Sequence, residues 1–241
     1  MARRKIPQKP NLHRKQQKRE KFEDSLRLKD IYPKTENQKR IFSQYRQDKN
    51  LVIHGMPGTG KTFLSLYLSL NDLLNRGYEK IIIFRSAVAT RDIGFLPGSA
   101  KDKVREFEAP YEEICCKLFD RDDIYHNLKI RKIIEFRPTS FIRGITFDNS
   151  IIIVDEVQNL NDHEVSSVIT RMGNNSKIIM CGDFRQSDFV TKGSEESGIH
   201  NLFRTTKLMP SFAHVELGID DIVRSGVVKE YIQARYELGL I

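Results

Sequence analysis

Five short runs dominated by apolar residues recur along the chain: Leu51 to His54, Ile81 to Phe84, Ile133 to Phe136, Ile151 to Val154 and Ile178 to Cys181, each separated from the next by a longer stretch of helical character. Runs of this length that do not alternate with polar positions predict strands buried on both faces, as a parallel sheet requires. Strand and helix signals that alternate predict a single α/β domain, its parallel sheet flanked by helices and its ligands at the carboxyl ends of the strands. No internal repeat is evident. The segment around 90–123, which contains FLPG and many charges, reads as an insertion lying over the site or offering a binding surface.

Composition changes this picture at one end. The 241 residues, 39% of them hydrophobic, suffice for one large or two small domains with a substantial core. Residues 1–22 hold nine Lys or Arg and one acidic residue, an excess of +8 that equals the net charge of the whole chain. The remainder, with 31 basic and 31 acidic residues, is formally neutral. The division expected is therefore a basic, flexible arm over 1–30 and a folded domain over 31–241 that carries the chemistry. Such an arm is either a binder of polyanions through counterion release or a solvated extension. Its charges are not followed by an apolar h-region, and no apolar run approaches the roughly 18 residues of a membrane span. The expectation is a cytoplasmic protein without membrane contact. Cys115, Cys116 and Cys181 have neither a zinc nor a disulfide spacing and read as buried small hydrophobes.

Chemistry enters at residues 55–62, GMPGTGKT, directly after the first strand and before an amphipathic stretch. Strand, glycine-rich loop and helix in this order form a P-loop, which predicts a nucleoside triphosphate as ligand. Gly55, Gly58 and Gly60 let successive backbone N–H groups converge on phosphate oxygens where side chains would obstruct them. Met56, Pro57, Thr59 and Phe63 complete the cradle and its helix start. Lys61 is expected on the β and γ phosphates, and the Thr62 hydroxyl on Mg²⁺ at the helix N-terminus.

The run IIIVDE at 151–156 ends a doubly buried strand in two carboxylates. Asp155 is expected to hold Mg²⁺ through water, and Glu156, pointing the other way off the strand, to polarise the attacking water as general base. A kinase acting on a small acceptor needs no such glutamate, so the pair favours hydrolysis over phosphotransfer.

The motif set resembles a known family. RSAVATRDIGFLPG (85–98), FIRGITF (141–147), VDEVQNL (154–160), TRMGNNSKIIMCGDFRQSD (170–188) and DIVRSGVVKEYI (221–232) are similar to the PhoH family of ATPases, over about Thr35 to Tyr236. That family in turn looks like the first RecA-like domain of superfamily 1 helicases. The resemblance implies that Gln38, in a segment like the Q motif, reads adenine. It also implies that Gln186, in the GDFRQ stretch, senses the γ-phosphate, with Gly182 and Asp183 shaping that turn. Arg85 becomes a candidate contact for a phosphate backbone or for the active site. Ser86 and Ile145 depart from the bacterial pattern, which has proline and arginine there. The short length and basic arm resemble phage versions.

The function expected is hydrolysis of ATP to ADP and phosphate, coupled to binding or remodelling of RNA or single-stranded DNA. The alternative is a nucleotide-gated switch without motor activity. A superfamily 1 motor closes two RecA-like domains on one ATP, and one domain is expected here, so a homo-oligomer, a ring such as a hexamer, would supply the second half. In that arrangement an arginine from one subunit completes its neighbour's site. Arg224 is the leading candidate and Arg171 the alternative, although either has carboxylates such as Asp221 or Glu164 nearby in sequence.

Overall fold

The computed structural model describes residues 19–86, 100–139, 144–183, 198–224 and 226–240, with side chains from 105 in the second stretch and from 199 in the fourth. The five expected strands are present as β1 (Asn50–Gly55), β2 (Lys80–Arg85), β3 (Ile134–Pro138), β4 (Ser150–Asp155) and β5 (Lys177–Gly182). A sixth, β6 (Phe212–Leu217), completes one sheet in the order β3-β2-β4-β5-β1-β6, with every pairing parallel. In FAHVEL, polar His214 and Glu216 interrupt the run, as an edge strand tolerates, so it carries no doubly buried signature.

The described helices are α1 (residues 19–24), α2 (Glu36–Arg46), α3 (Lys61–Asn75), α4 (Ala100–Phe119), α5 (Ile124–Ile130), α6 (Asp162–Ile169), α7 (Gly198–Lys207) and α8 (Val227–Glu237). Two apolar layers separate them by face. Leu51, Ile53, Ile81, Ile83, Ile151, Ile153 and Ile179 pack under α2 to α5. Val52, Ile82, Phe84, Ile152, Val154, Ile178 and Met180 pack under α6 and α7. Odd positions of the central strands thus face one layer and even positions the other, the period of two that a pleated strand imposes. Extended by one step, the same alternation sends Arg85 and Asp155 to the α3 and α4 side.

Two boundaries differ from the sequence expectation. Residues 19–30, grouped with the arm on charge, lie against the domain: Leu26 is buried, Arg131 stacks 3.9 Å from the Phe22 ring centroid, and the Lys29 N–H donates to the Leu118 carbonyl. Apolar residues among the charges decide this, and a charge count does not register them. Residues 1–18 lie outside the described residues. Of the expected insertion around 90–123, residues 90–99 lie outside them too, while α4 packs into the core through buried Tyr111, Cys115 and Leu118. Cys115 and Cys181 are buried as expected; Cys116 is only partly so.

Candidate functional site

The P-loop leaves β1 at Gly55 and enters α3 at Lys61. Gly55, Gly58 and Gly60 have φ of 125°, 77° and 86°, backbone that residues with a Cβ rarely adopt. At Gly55 there is also no room, because a Cβ would lie 2.0 Å from the Leu217 carbonyl oxygen of β6. Thr59 is buried and its hydroxyl donates to the Met56 carbonyl at 2.8 Å, which closes the loop on itself. Met56 is buried as well, so Met56 and Thr59 shape the loop, whereas Pro57, Gly58, Gly60, Lys61, Thr62 and Phe63 line the adjoining pocket of about 780 Å³.

The Lys61 ammonium donates to the Gly55 and Met56 carbonyls at 2.7 and 2.8 Å. Burial holds its pKa below the ordinary lysine value, opposed by the nearby carboxylates of Asp183, Glu156 and Asp155. The Thr62 hydroxyl lies 3.1 Å from Asp155 Oδ1 and 3.3 Å from Oδ2, so helix α3 and strand β4 meet at these two side chains. Burial pushes the Asp155 carboxyl above the usual range, with the Glu156 charge adding to the shift, while hydrogen bonds and Arg85 oppose it. A hydroxyl beside one carboxylate is a hard-oxygen donor set, suited to Mg²⁺ that keeps most of its ligands as water and phosphate.

Glu156 directly follows β4 with φ 52° and ψ 46°, a conformation glutamate rarely adopts. Gln158 holds it: the Gln158 amide donates to the Glu156 carboxylate at 2.5 Å and accepts from the Asp183 N–H at 3.1 Å. The end of β4 is thereby tied to the end of β5. Gln186 lies outside the described residues.

Gln38 lines the pocket, but its side chain serves the protein. Its carbonyl accepts from the Lys34 N–H at 2.8 Å and its amide donates to the Thr59 carbonyl at 3.2 Å. Arg224 lies beside the loop of its own chain. Its Cγ lies 3.2 Å from the position a Gly58 Cβ would take, and the Val223 N–H donates to the Gly58 carbonyl at 3.2 Å. The arginine therefore lines its own subunit's pocket. Arg171 follows α6, where its Nη1 donates to the Ser167 carbonyl, and its own carbonyl accepts from Phe147 ahead of β4. It sits at the amino edge of the sheet, across the molecule from the P-loop.

Three residues take parts in the site that no motif assigns them. Tyr111 of α4 donates to Asp155 Oδ2 at 2.8 Å. Gln158 bridges two strands as above. Asp221, close to Arg224 in sequence, directs its carboxylate elsewhere: it accepts from Thr35, from Asn37 at 2.8 Å and from the Gly218 N–H at 2.8 Å. The capping signal at Thr35 is legible in the chain; its second partner, 186 residues away, is not.

The family described as PhoH-like protein matches residues 30–237. A PhoH-like protein of Mycobacterium bovis is 32% identical over 218 residues, covering 88% of this chain and 60% of that protein. One from Bacillus subtilis is 32% identical over 216 residues, covering 89% and 67%. The chain thus spans about 60% of the length of the first of these relatives. Among solved structures, the large terminase from a thermophilic bacteriophage superposes with a TM-score of 0.53 at 12% identity, covering 86% of this chain and 50% of that one, a likeness of fold.

Proposed function

This chain belongs to the PhoH-like family, and from that premise we propose that it is an ATPase, hydrolysing ATP to ADP and phosphate at the pocket between the P-loop and the ends of β4 and β5. The observation that carries the reading is convergence: Lys61, Thr62, Asp155, Glu156 and Arg224, distant in sequence, line one cavity. Mg²⁺ would neutralise charge developing on the β and γ phosphates. Lys61 binds the phosphates, a role supported by its position at the mouth of the anion nest. Thr62 and Asp155 would hold the cation side. Glu156 takes the proton of the attacking water as the bond from water oxygen to the γ-phosphorus forms and the bond to the bridging oxygen breaks. Arg224 stabilises the charge on the leaving phosphates from within the same chain. Gln38 supports the loop beside the base rather than spending its whole amide on adenine.

Lys61→Ala should abolish binding of a fluorescent ATP analogue. Glu156→Gln should bind it normally and lose turnover by about 10² or more, the range typical of removing a general base. Parental turnover in Glu156→Gln would refute the base assignment. The partner we propose is RNA or single-stranded DNA, on the strength of the basic excess at residues 1–22. Stimulation of turnover by either, lost steeply as salt rises, separates this from a switch that hydrolyses slowly and ignores nucleic acid.

A further inference from the structure

Asp155 is a buried carboxylate with two hydroxyl partners, and only one of them belongs to the P-loop. Thr62 approaches Oδ1 most closely, at 3.1 Å, while Tyr111 donates to Oδ2 at 2.8 Å. Tyr111 is itself fully buried and tilted against Phe136 with ring centroids 5.8 Å apart. It is presented by α4 one residue after Pro110, which removes an N–H from the helix interior and marks the place where that helix bends most readily.

The direction of the hydrogen bonds is set by chemistry. Arg85 and Asp155 are register partners on the adjacent strands β2 and β4. An ionised carboxylate can only accept, so the single hydrogen of the Tyr111 phenol goes to Asp155. The phenol is thus a donor fixed on Asp155. It ties down one carboxylate oxygen and leaves the other toward the Thr62 hydroxyl.

We propose that Tyr111 is a positioning residue that fixes the Asp155 carboxylate so that Oδ1 and the Thr62 hydroxyl can share a divalent cation. The proposal rests on the reading of Asp155 as the cation-side carboxylate. Its specific content is that the phenol acts on cation affinity and leaves cation-free nucleotide binding alone, because Lys61 and the loop amides do not depend on it.

The test is a titration of Mg²⁺ into parent, Tyr111→Phe and Asp155→Asn proteins carrying a fluorescent ADP analogue, with affinity for the analogue also measured in chelator. Tyr111→Phe keeps the ring packing and loses one hydrogen-bond donor. The Mg²⁺ concentration that gives half the tightening should rise about 10- to 100-fold, the usual effect of losing an outer-shell partner, with affinity in chelator within about twofold of the parent. A purely structural tyrosine would shift both affinities together, and that result overturns the proposal. If Asp155→Asn loses the Mg²⁺ response while Tyr111→Phe keeps it, the tyrosine proposal alone falls. If Asp155→Asn keeps the parental response, the carboxylate reading falls and takes the proposal with it. Should Tyr111→Phe fail to fold, 3-fluorotyrosine at position 111 retains both ring and donor. Its ¹⁹F resonance should move when Mg²⁺ is added to the protein already bound to ADP, and a stationary resonance overturns the proposal.

Discussion

Glu156 is held in its uncommon backbone conformation by the chain beyond it, and Gly182 is the residue that leaves room for this. A Cβ at position 182 would lie 2.7 Å from Gln158 Oε1 and 2.7 Å from Val157 Cγ1. Gly182→Ala must therefore push Gln158 away from Glu156 or from the Asp183 N–H. The expected cost is about 1–3 kcal/mol of stability, the range for overpacking, read in a denaturant titration. Turnover should fall about 10-fold or more while affinity for the ATP analogue stays near the parent's, because the phosphate cradle is on another strand. A protein of parental turnover would show that Gln158 does not position the base. Residue identities at this scale are legible where a motif spaces them: the lysine, the threonine and the carboxylate pair stand at the end of β1 and of β4 as read. Gln158 is not, because a glutamine three residues past a strand has no periodicity to betray which backbone it will meet.

Among elements, the connection that matters joins the two ends of the described chain. Thr35 caps α2 by accepting from the Gln38 N–H and also donates to Asp221, which lies just before the segment carrying Val223 and Arg224. Asn37 makes a second contact from the same turn, and Gln38 passes the tie on to Thr59 in the P-loop. Asp221 is 2% exposed, and its removal leaves three half-buried donors, from Thr35, Asn37 and Gly218, without that partner. Asp221→Ala should cost about 2–3 kcal/mol, the scale of hydrogen bonds to a buried charge, and should lower turnover toward that of Arg224→Ala. Combining the two should add little further loss of turnover, as expected when one residue acts through the other. Full additivity would separate the clamp from the arginine. The edge strand β6 belongs to the same lesson: its place beside β1 brings the Leu217 carbonyl onto Gly55, a demand made by a neighbour and absent from FAHVEL itself.

For the whole molecule, the parallel order β3-β2-β4-β5-β1-β6 gathers every strand's carboxyl end, and hence every proposed catalytic group, along one edge. It also brings Arg224 back over its own P-loop. Arg224 lines its own subunit's pocket, so the site proposed here needs no arginine from a neighbour. Mixing Lys61→Ala subunits with Arg224→Ala subunits should restore no ATPase activity, because each chain then lacks part of its own site. Rescue on mixing would return the arginine to a neighbour. Among the described residues no helix is long and apolar enough to cross a membrane.

Local chemistry and the layer architecture can be read from the chain alone. A glycine-rich loop between strand and helix, and two carboxylates closing a doubly apolar strand, are patterns whose physics is complete within a few residues, since backbone conformation and strand periodicity dictate them. Which groups those residues meet is a matter of packing at long range. Tyr111 reaches Asp155 across 44 positions, Asp221 reaches Thr35 across 186, and Arg224 lies over Gly58 of its own chain. The side-chain partners in such pairs are chosen by strand order and helix docking, which arise from burial summed over the whole core and leave no periodic trace at either residue.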